Sequence, residues 1–139
     1  MNVAKIYLSR YKILVVKIRI LEQDIDKLIA KAGGGSISGG DGLPHGNGTT
    51  DQTGAIASRL ADIKAKRDSL LFDSIVARDE IEQTILKVPD PVSMQLLFDR
   101  YVKLMRWNDV AEDLHIYNEQ YVRGRLHGQA LAEVQKIIG

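Results

Sequence analysis

Cysteine is absent from the 139-residue chain, which excludes disulfides, thiolate catalysis and cysteine-ligated zinc. That suits a reducing compartment, and a cytoplasmic protein is expected. No apolar run approaches the ~18 residues that cross a bilayer, so no membrane partner is expected. Met1 to Arg10 pass directly into mixed polar and apolar positions, so no signal peptide is expected. Histidine is scarce. His45, His115 and His127 are scattered with no carboxylate at ligand spacing, which argues against a metal site and against a Ser-His-Asp arrangement. The acid pairs Asp79-Glu80 and Glu112-Asp113 read as solvated charge on helix faces. Neither an enzyme activity nor a cofactor is expected.

A strong net charge is missing too, since the formal balance is +1. The distribution is uneven, however. Residues 1–20 carry Lys5, Arg10, Lys12, Lys17 and Arg19 and no acid. Residues 92–139 set Arg100, Lys103, Arg106, Arg123, Arg125 and Lys136 against Asp99, Asp109, Glu112, Asp113, Glu119 and Glu133. A nucleic-acid binder usually shows a clearer basic excess, so DNA binding by this third requires its charges to separate onto different faces. What is present, 45% hydrophobic and 27% charged residues, is the composition of a folded soluble chain. Its length fits one domain, or a small domain with a helical extension.

Nine of the twelve glycines fall between Gly33 and Gly54. With Ser36, Ser38, Asp41, Pro44 and Asn47 they make residues 33–51 a flexible linker. No Gly-Lys-Ser/Thr follows and no hydrophobic strand precedes, so a phosphate loop is not indicated. Before the linker, residues 1–32 repeat apolar positions at 3-4 spacing. Ala4, Tyr11, Ile18, Ile25 and Ala32 take heptad position a, and Tyr7, Leu14, Leu21 and Leu28 take d, the seam of a coiled coil. Ile6, Ile13 and Ile20 form a second stripe, which suggests another neighbouring helix or a partner chain. After the linker, residues 52–88 keep 3-4 spacing through Ile56, Leu60, Ile63, Leu70, Ala77, Ile81 and Val88, with Arg67, Ser74 and Thr84 as weaker positions. Leu71, Ile75 and Ile85 add an adjacent stripe. Two long helices joined by a loose loop predict an antiparallel hairpin. Pro89-Asp90-Pro91 ends the second helix and marks the clearest domain boundary.

Residues 91–139 read as three further helices. The first, from Val92 to about Lys103, turns Leu96, Leu97, Tyr101 and Leu104 to one side. The second, Trp107 to Leu114, buries Trp107, Val110, Ala111 and Leu114 at i, i+3, i+4, i+7. His115-Ile116-Tyr117 connects it to a last helix that Asn118 caps and that carries Tyr121, Val122, Leu126, Leu131, Val134 and Ile138. A short helix, a three-residue turn and a longer helix make a helix-turn-helix. Ala111 would let its helices approach and Ile116 would fill the wedge between them. An ordinary three-helix packing unit is the alternative. The fold class expected is therefore all-α, a long coiled-coil-like hairpin followed by a small helix-turn-helix domain.

The segments Leu97-Phe-Asp-Arg-Tyr101, Trp107-Asn-Asp-Val-Ala-Glu-Asp-Leu114 and Leu126-His-Gly-Gln-Ala-Leu131 resemble a family of small phage and prophage transcription regulators. These are the ArpU-type proteins, similar in turn to region four of bacterial sigma factors. The front end resembles them too, with Tyr7-Leu8-Ser9-Arg10-Tyr11, a coiled-coil helix, a Gly/Ser-rich loop and a second long helix. The resemblance implies a regulator in a bacterial host that binds double-stranded promoter DNA, with RNA polymerase as a further partner. Between Leu114 and His127-Gly128 the sequence is one or two residues longer than the family pattern.

The resemblance implies that the first turns of the last helix enter the major groove. Asn118, Glu119, Gln120, Arg123 and Arg125 are the exposed polar candidates, of types that pair with base edges. Tyr117 could reach phosphate or a thymine methyl, and Tyr121 likewise, or both could pack at the hinge. Lys103 and Arg106 precede the second helix, where phosphate contacts fall. Trp107 reads as an anchor at a helix start. Gly124 and Gly128, four apart in a helix, suggest a close neighbouring helix or DNA backbone. Homo-oligomerisation is expected through the N-terminal helices. The competing readings are a coiled-coil adaptor or scaffold that binds RNA polymerase or another protein without binding DNA alone, and a sigma-like or anti-sigma partner of polymerase.

Overall fold

The computed structural model describes residues 2–38 and 47–139, with side chains described except at 34–38 and 47–51. Among the described residues there is no strand. The chain divides into two units, Met1–Leu14 with Asp73–Gly139, and Val15–Phe72.

In the first unit Asn2 caps the short helix α1 (Val3–Leu8), its Oδ1 accepting the Lys5 N–H at 3.0 Å. The helix breaks at Ser9 and α2 (Arg10–Ser38) begins. Arg10 stabilises this break from three sides. Its Nε donates to the Tyr7 carbonyl at 3.1 Å, its guanidinium lies 4.4 Å from the Tyr7 ring centre, and it pairs with Glu80 at 3.0 Å. The Tyr7 hydroxyl meets Thr84 Oγ1 at 2.8 Å. Moving forward from Tyr7 to Arg10 moves backward from Thr84 to Glu80, so these two stretches run antiparallel.

Helix α3 (Asn47–Ile85) ends in a tightened turn, Lys87 and Val88 donating to carbonyls three residues back. Asp90 then caps α4 (Pro91–Leu97), accepting the Ser93 N–H at 2.9 Å, with Pro91 at the helix start where no amide is needed. Helix α4 continues into a π-helical turn, Phe98–Val102, closed by Leu104 at φ 59. Helix α5 (Trp107–Asp113) and the short α6 (Glu119–Tyr121) follow, and a second π turn, Val122–Leu126, leads into α7 (His127–Ile138).

One core spans this unit. It unites Ala4 and Leu8 of α1 with Ile81, Ile85 and Val88, and these with Leu96, Val110, Val122, Ala130 and Val134. Each fully buried aliphatic side chain contributes ~1.5–3 kcal/mol. The prolines therefore end a helix without ending the core, and the boundary expected at 91 lies within one unit. The reason is that α1 and the last turns of α3 bury their apolar face on the C-terminal helices.

In the second unit Ile18 and Ile25 are buried and Leu21 and Leu28 half-buried, while Ile56, Leu60, Ile63, Arg67 and Leu70 are half-buried. The expected seam positions are thus the covered ones, except Ala32, which is exposed. The second stripe is uncovered, with Ile6, Ile13 and Ile20 all about half exposed at 51%, 51% and 52%. The adjacent stripe on α3 divides, for Ile85 joins the core while Leu71 and Ile75 are exposed. Of the linker expected at 33–51, residues 33–38 and 47–51 are helical, since α2 reaches Ser38 and α3 starts at Asn47. A glycine costs a growing helix only ~1 kcal/mol. Residues 39–46, with His45, lie outside the described residues.

Candidate nucleic-acid interface

The turn between α5 and α6 is set by backbone hydrogen bonds. Ile116 N donates to the Ala111 carbonyl at 2.9 Å and His115 N to Glu112 at 3.0 Å, with His115 in the left-handed region at φ 58. This pairing is the Schellman motif, which ordinarily uses glycine where His115 stands. It brings Ile116 back onto the core beside Ala111, which is 4% exposed. Asn118 takes extended backbone and its Oδ1 accepts the Tyr121 N–H at 3.1 Å, starting the next helix.

From there the chain is helical to Ile138, and the π turn fixes its register. Val122 and His127 are both buried although five residues apart, one more than an α-helix would place on a face. Downstream, Ala130, Leu131 and Val134 resume α spacing. The turn thereby accommodates one additional residue without turning the buried face away from the core.

The candidate side chains sort into groups. Tyr117 is wholly exposed at 106%, and Gln120 and Arg125 are exposed on the first turns. Arg123 is exposed and lies 3.8 Å from the half-buried Glu119 one turn earlier, so this acid partly neutralises that arginine. The Asn118 amide oxygen is committed to the cap. Arg106 is exposed at the start of α5, paired with Asp109 at 3.5 Å, and Lys103 is exposed with its Nζ 5.8 Å from the Phe98 ring centre. Tyr121 is 43% exposed. Gly124 and Gly128 meet no neighbour, since a Cβ at either would find nothing within 4 Å. The close helix expected at these glycines is absent from the described residues.

Behind the π turn lies a buried polar cluster. The Tyr101 hydroxyl meets His127 Nε2 at 2.6 Å, and the Trp107 ring stands edge-on to His127 at 4.6 Å. Burial, with Lys5 and Arg100 nearby, pushes the His127 pKa down to about 4, although a hydrogen bond to the Arg123 backbone opposes this. The ring is neutral at pH 7, accepting from Tyr101 while its other nitrogen donates to that backbone. His127 is thus a satisfied core histidine. Trp107 anchors the start of α5, as its position suggests, with the Arg100 guanidinium 4.6 Å above it.

Above this cluster opens a cavity of about 280 Å³ whose lining includes Lys5, Ser9, Lys12, Arg100, Trp107 and Arg123. Of the candidate DNA-contacting residues only Arg123 lines it. Lys5 and Lys12 carry the signal that could have indicated their involvement, the acid-free first twenty residues, but nothing in the sequence places residue 5 beside residue 123. Comparison of the chain with protein-family models, with curated proteins and with solved structures found no match.

Proposed function

We propose that the protein is a phage- or prophage-type transcription regulator that binds promoter DNA through the helix formed by α6, the π turn and α7. The observation that carries this reading is the α5–turn–α6 arrangement. A two-turn helix, a left-handed residue and a capped second helix present Tyr117, Gln120, Arg123 and Arg125 as exposed side chains from the turn into the first turns of that helix. In a helix-turn-helix the start of the second helix reads base edges in the major groove. The resemblance to ArpU-type regulators supports the same assignment, and the π turn offers a place for the extra length relative to their pattern. The 3-4 covered positions of α2 and α3 support an antiparallel hairpin, and the uncovered Ile6, Ile13 and Ile20 support its pairing with a second chain.

The competing reading is an adaptor that binds RNA polymerase or another protein without binding DNA alone. It is favoured by apolar side chains standing in solvent on α3, where Phe72 is 67% and Ile75 66% exposed. Selection of random duplexes on the purified protein at moderate salt separates the two. A defined motif should be enriched, and an Arg123→Ala/Arg125→Ala variant should lose it. DNA binding should also weaken by orders of magnitude with added salt. No enrichment by the wild-type protein would leave the adaptor reading standing.

A further inference from the structure

We infer that the cavity between α1, the first turn of α2 and the two π turns is a phosphate-binding site, occupied by a backbone phosphate of duplex DNA beside the recognition helix. This rests on reading α6–α7 as the DNA-contacting helix. Four cationic side chains converge on one concavity, Lys5 from α1, Lys12 from α2, Arg100 from the first π turn and Arg123 from the second. No carboxylate among the described residues lines it. Among the described residues Lys5, Lys12 and Arg100 have no acidic partner within salt-bridge distance, and the weak pair of Arg123 at 3.8 Å is with a glutamate outside the cavity.

Arg100 is held in place before any ligand arrives. Its Nη1 donates to the Met105 carbonyl at 2.9 Å and its plane covers Trp107, so little side-chain freedom remains to be lost on binding. Ser9 adds a hydroxyl donor to the lining. Such a set of donors, cationic and acceptor-poor, suits a phosphate oxyanion. Burial is the main cause of the lowered His127 pKa, and Lys5 and Arg100 lower it further, in keeping with a positive field there. Arg123 belongs to the recognition helix, so a phosphate bound here would fix that helix on the DNA and commit Arg123 to the backbone, leaving base reading to Gln120 and Arg125. The N-terminal helix would then act as a second arm of the DNA-binding surface.

The test uses the full chain and a Lys5→Gln/Lys12→Gln variant, both sites being exposed, with Lys5→Arg/Lys12→Arg as the charge-retaining control. Unchanged melting curves show that the variants fold. Two titrations are read: duplex DNA at a series of salt concentrations, and inorganic phosphate by the fluorescence of Trp107, the sole tryptophan. The expected result is a glutamine variant with at least about tenfold weaker duplex binding at low salt, a salt slope smaller by about one, and an unchanged preferred motif. The arginine variant should behave as wild type. Duplex binding with the same slope in the glutamine variant would overturn the phosphate site while leaving the regulator reading intact. If the wild type binds no duplex but phosphate changes its Trp107 emission, and not that of the glutamine variant, the cavity binds free phosphate and the regulator reading fails. No response to either ligand would overturn both.

Discussion

At the scale of single residues, Asp99 is the group most at odds with its surroundings. It is fully buried, its Oδ1 accepts from Gln95 Nε2 at 2.8 Å, and Oδ2 has no hydrogen-bond partner. Burial first, then the neighbouring Asp113 carboxyl, raise its pKa from 3.8 to about 6, against the lowering influence of Gln95 and Lys103. A carboxyl with a raised folded pKa holds its proton more tightly in the fold. The stability it contributes is therefore complete below pH 3.8 and is lost as pH rises through about 6. His127 acts oppositely, its contribution being present above pH 6.5 and lost as pH falls through about 4. A wild-type pH curve mixes the two, whereas the difference from an Asp99→Asn variant isolates the Asp99–Asp113 carboxyl pair from His127. That variant should gain on wild type as pH increases from 4 to 7, by about 1–3 kcal/mol in all, read from urea midpoints. A difference that does not change with pH would show that Asp99 is not the titrating group.

At the scale of elements, the α5–α6 turn depends on two residues with opposite margins for improvement. His115 occupies a left-handed conformation that costs a side chain ~1–2 kcal/mol, and glycine would avoid most of that cost. His115→Gly should raise stability by about 0.5–1 kcal/mol, the unfolded chain's extra freedom taking back the remainder. Asn118 is already a favourable cap, so Asn118→Ala should cost about 1 kcal/mol while Asn118→Asp costs little. Denaturant midpoints check both, and equal effects of Ala and Asp at 118 would contradict the cap. The turn was legible in the sequence because its determinants are local. Leu114-His115-Ile116-Tyr117-Asn118 contains the left-handed position, the apolar return and the cap in order. The π turn was not legible. It depends on whether Val122 and His127 can both reach the core, which is a property of what packs against them.

At the scale of the molecule, α1 lies more than seventy residues from Ile81 in sequence and packs in the same core. The C-terminal helices are consequently incomplete by themselves. A fragment of residues 89–139 lacks Ala4, Leu8, Ile81, Ile85 and Val88, and should show no cooperative unfolding when followed through Trp107. In the full chain Leu8→Ala should cost about 2–5 kcal/mol and loosen the Trp107 environment although it is far away in sequence. A fragment that melts cooperatively with native Trp107 emission would show that the C-terminal helices need no such support.

The sequence by itself determined the helical class, the covered 3-4 positions of the long helices, the stop at Pro89-Asp90-Pro91, the capped turn at Asn118 and the exposed side chains that follow it. Each of these depends on residues within a few turns of one another, where helix period, proline and capping chemistry decide the outcome. Only the tertiary structure decided that α1 and the C-terminal helices share one core, that His127 is a buried partner of Tyr101, that no described residue comes within 4 Å of where a Cβ at Gly124 or Gly128 would stand, and that Lys5, Lys12, Arg100 and Arg123 surround one cavity. Those depend on which distant faces meet, and an apolar stripe states that a face will be buried without stating against what.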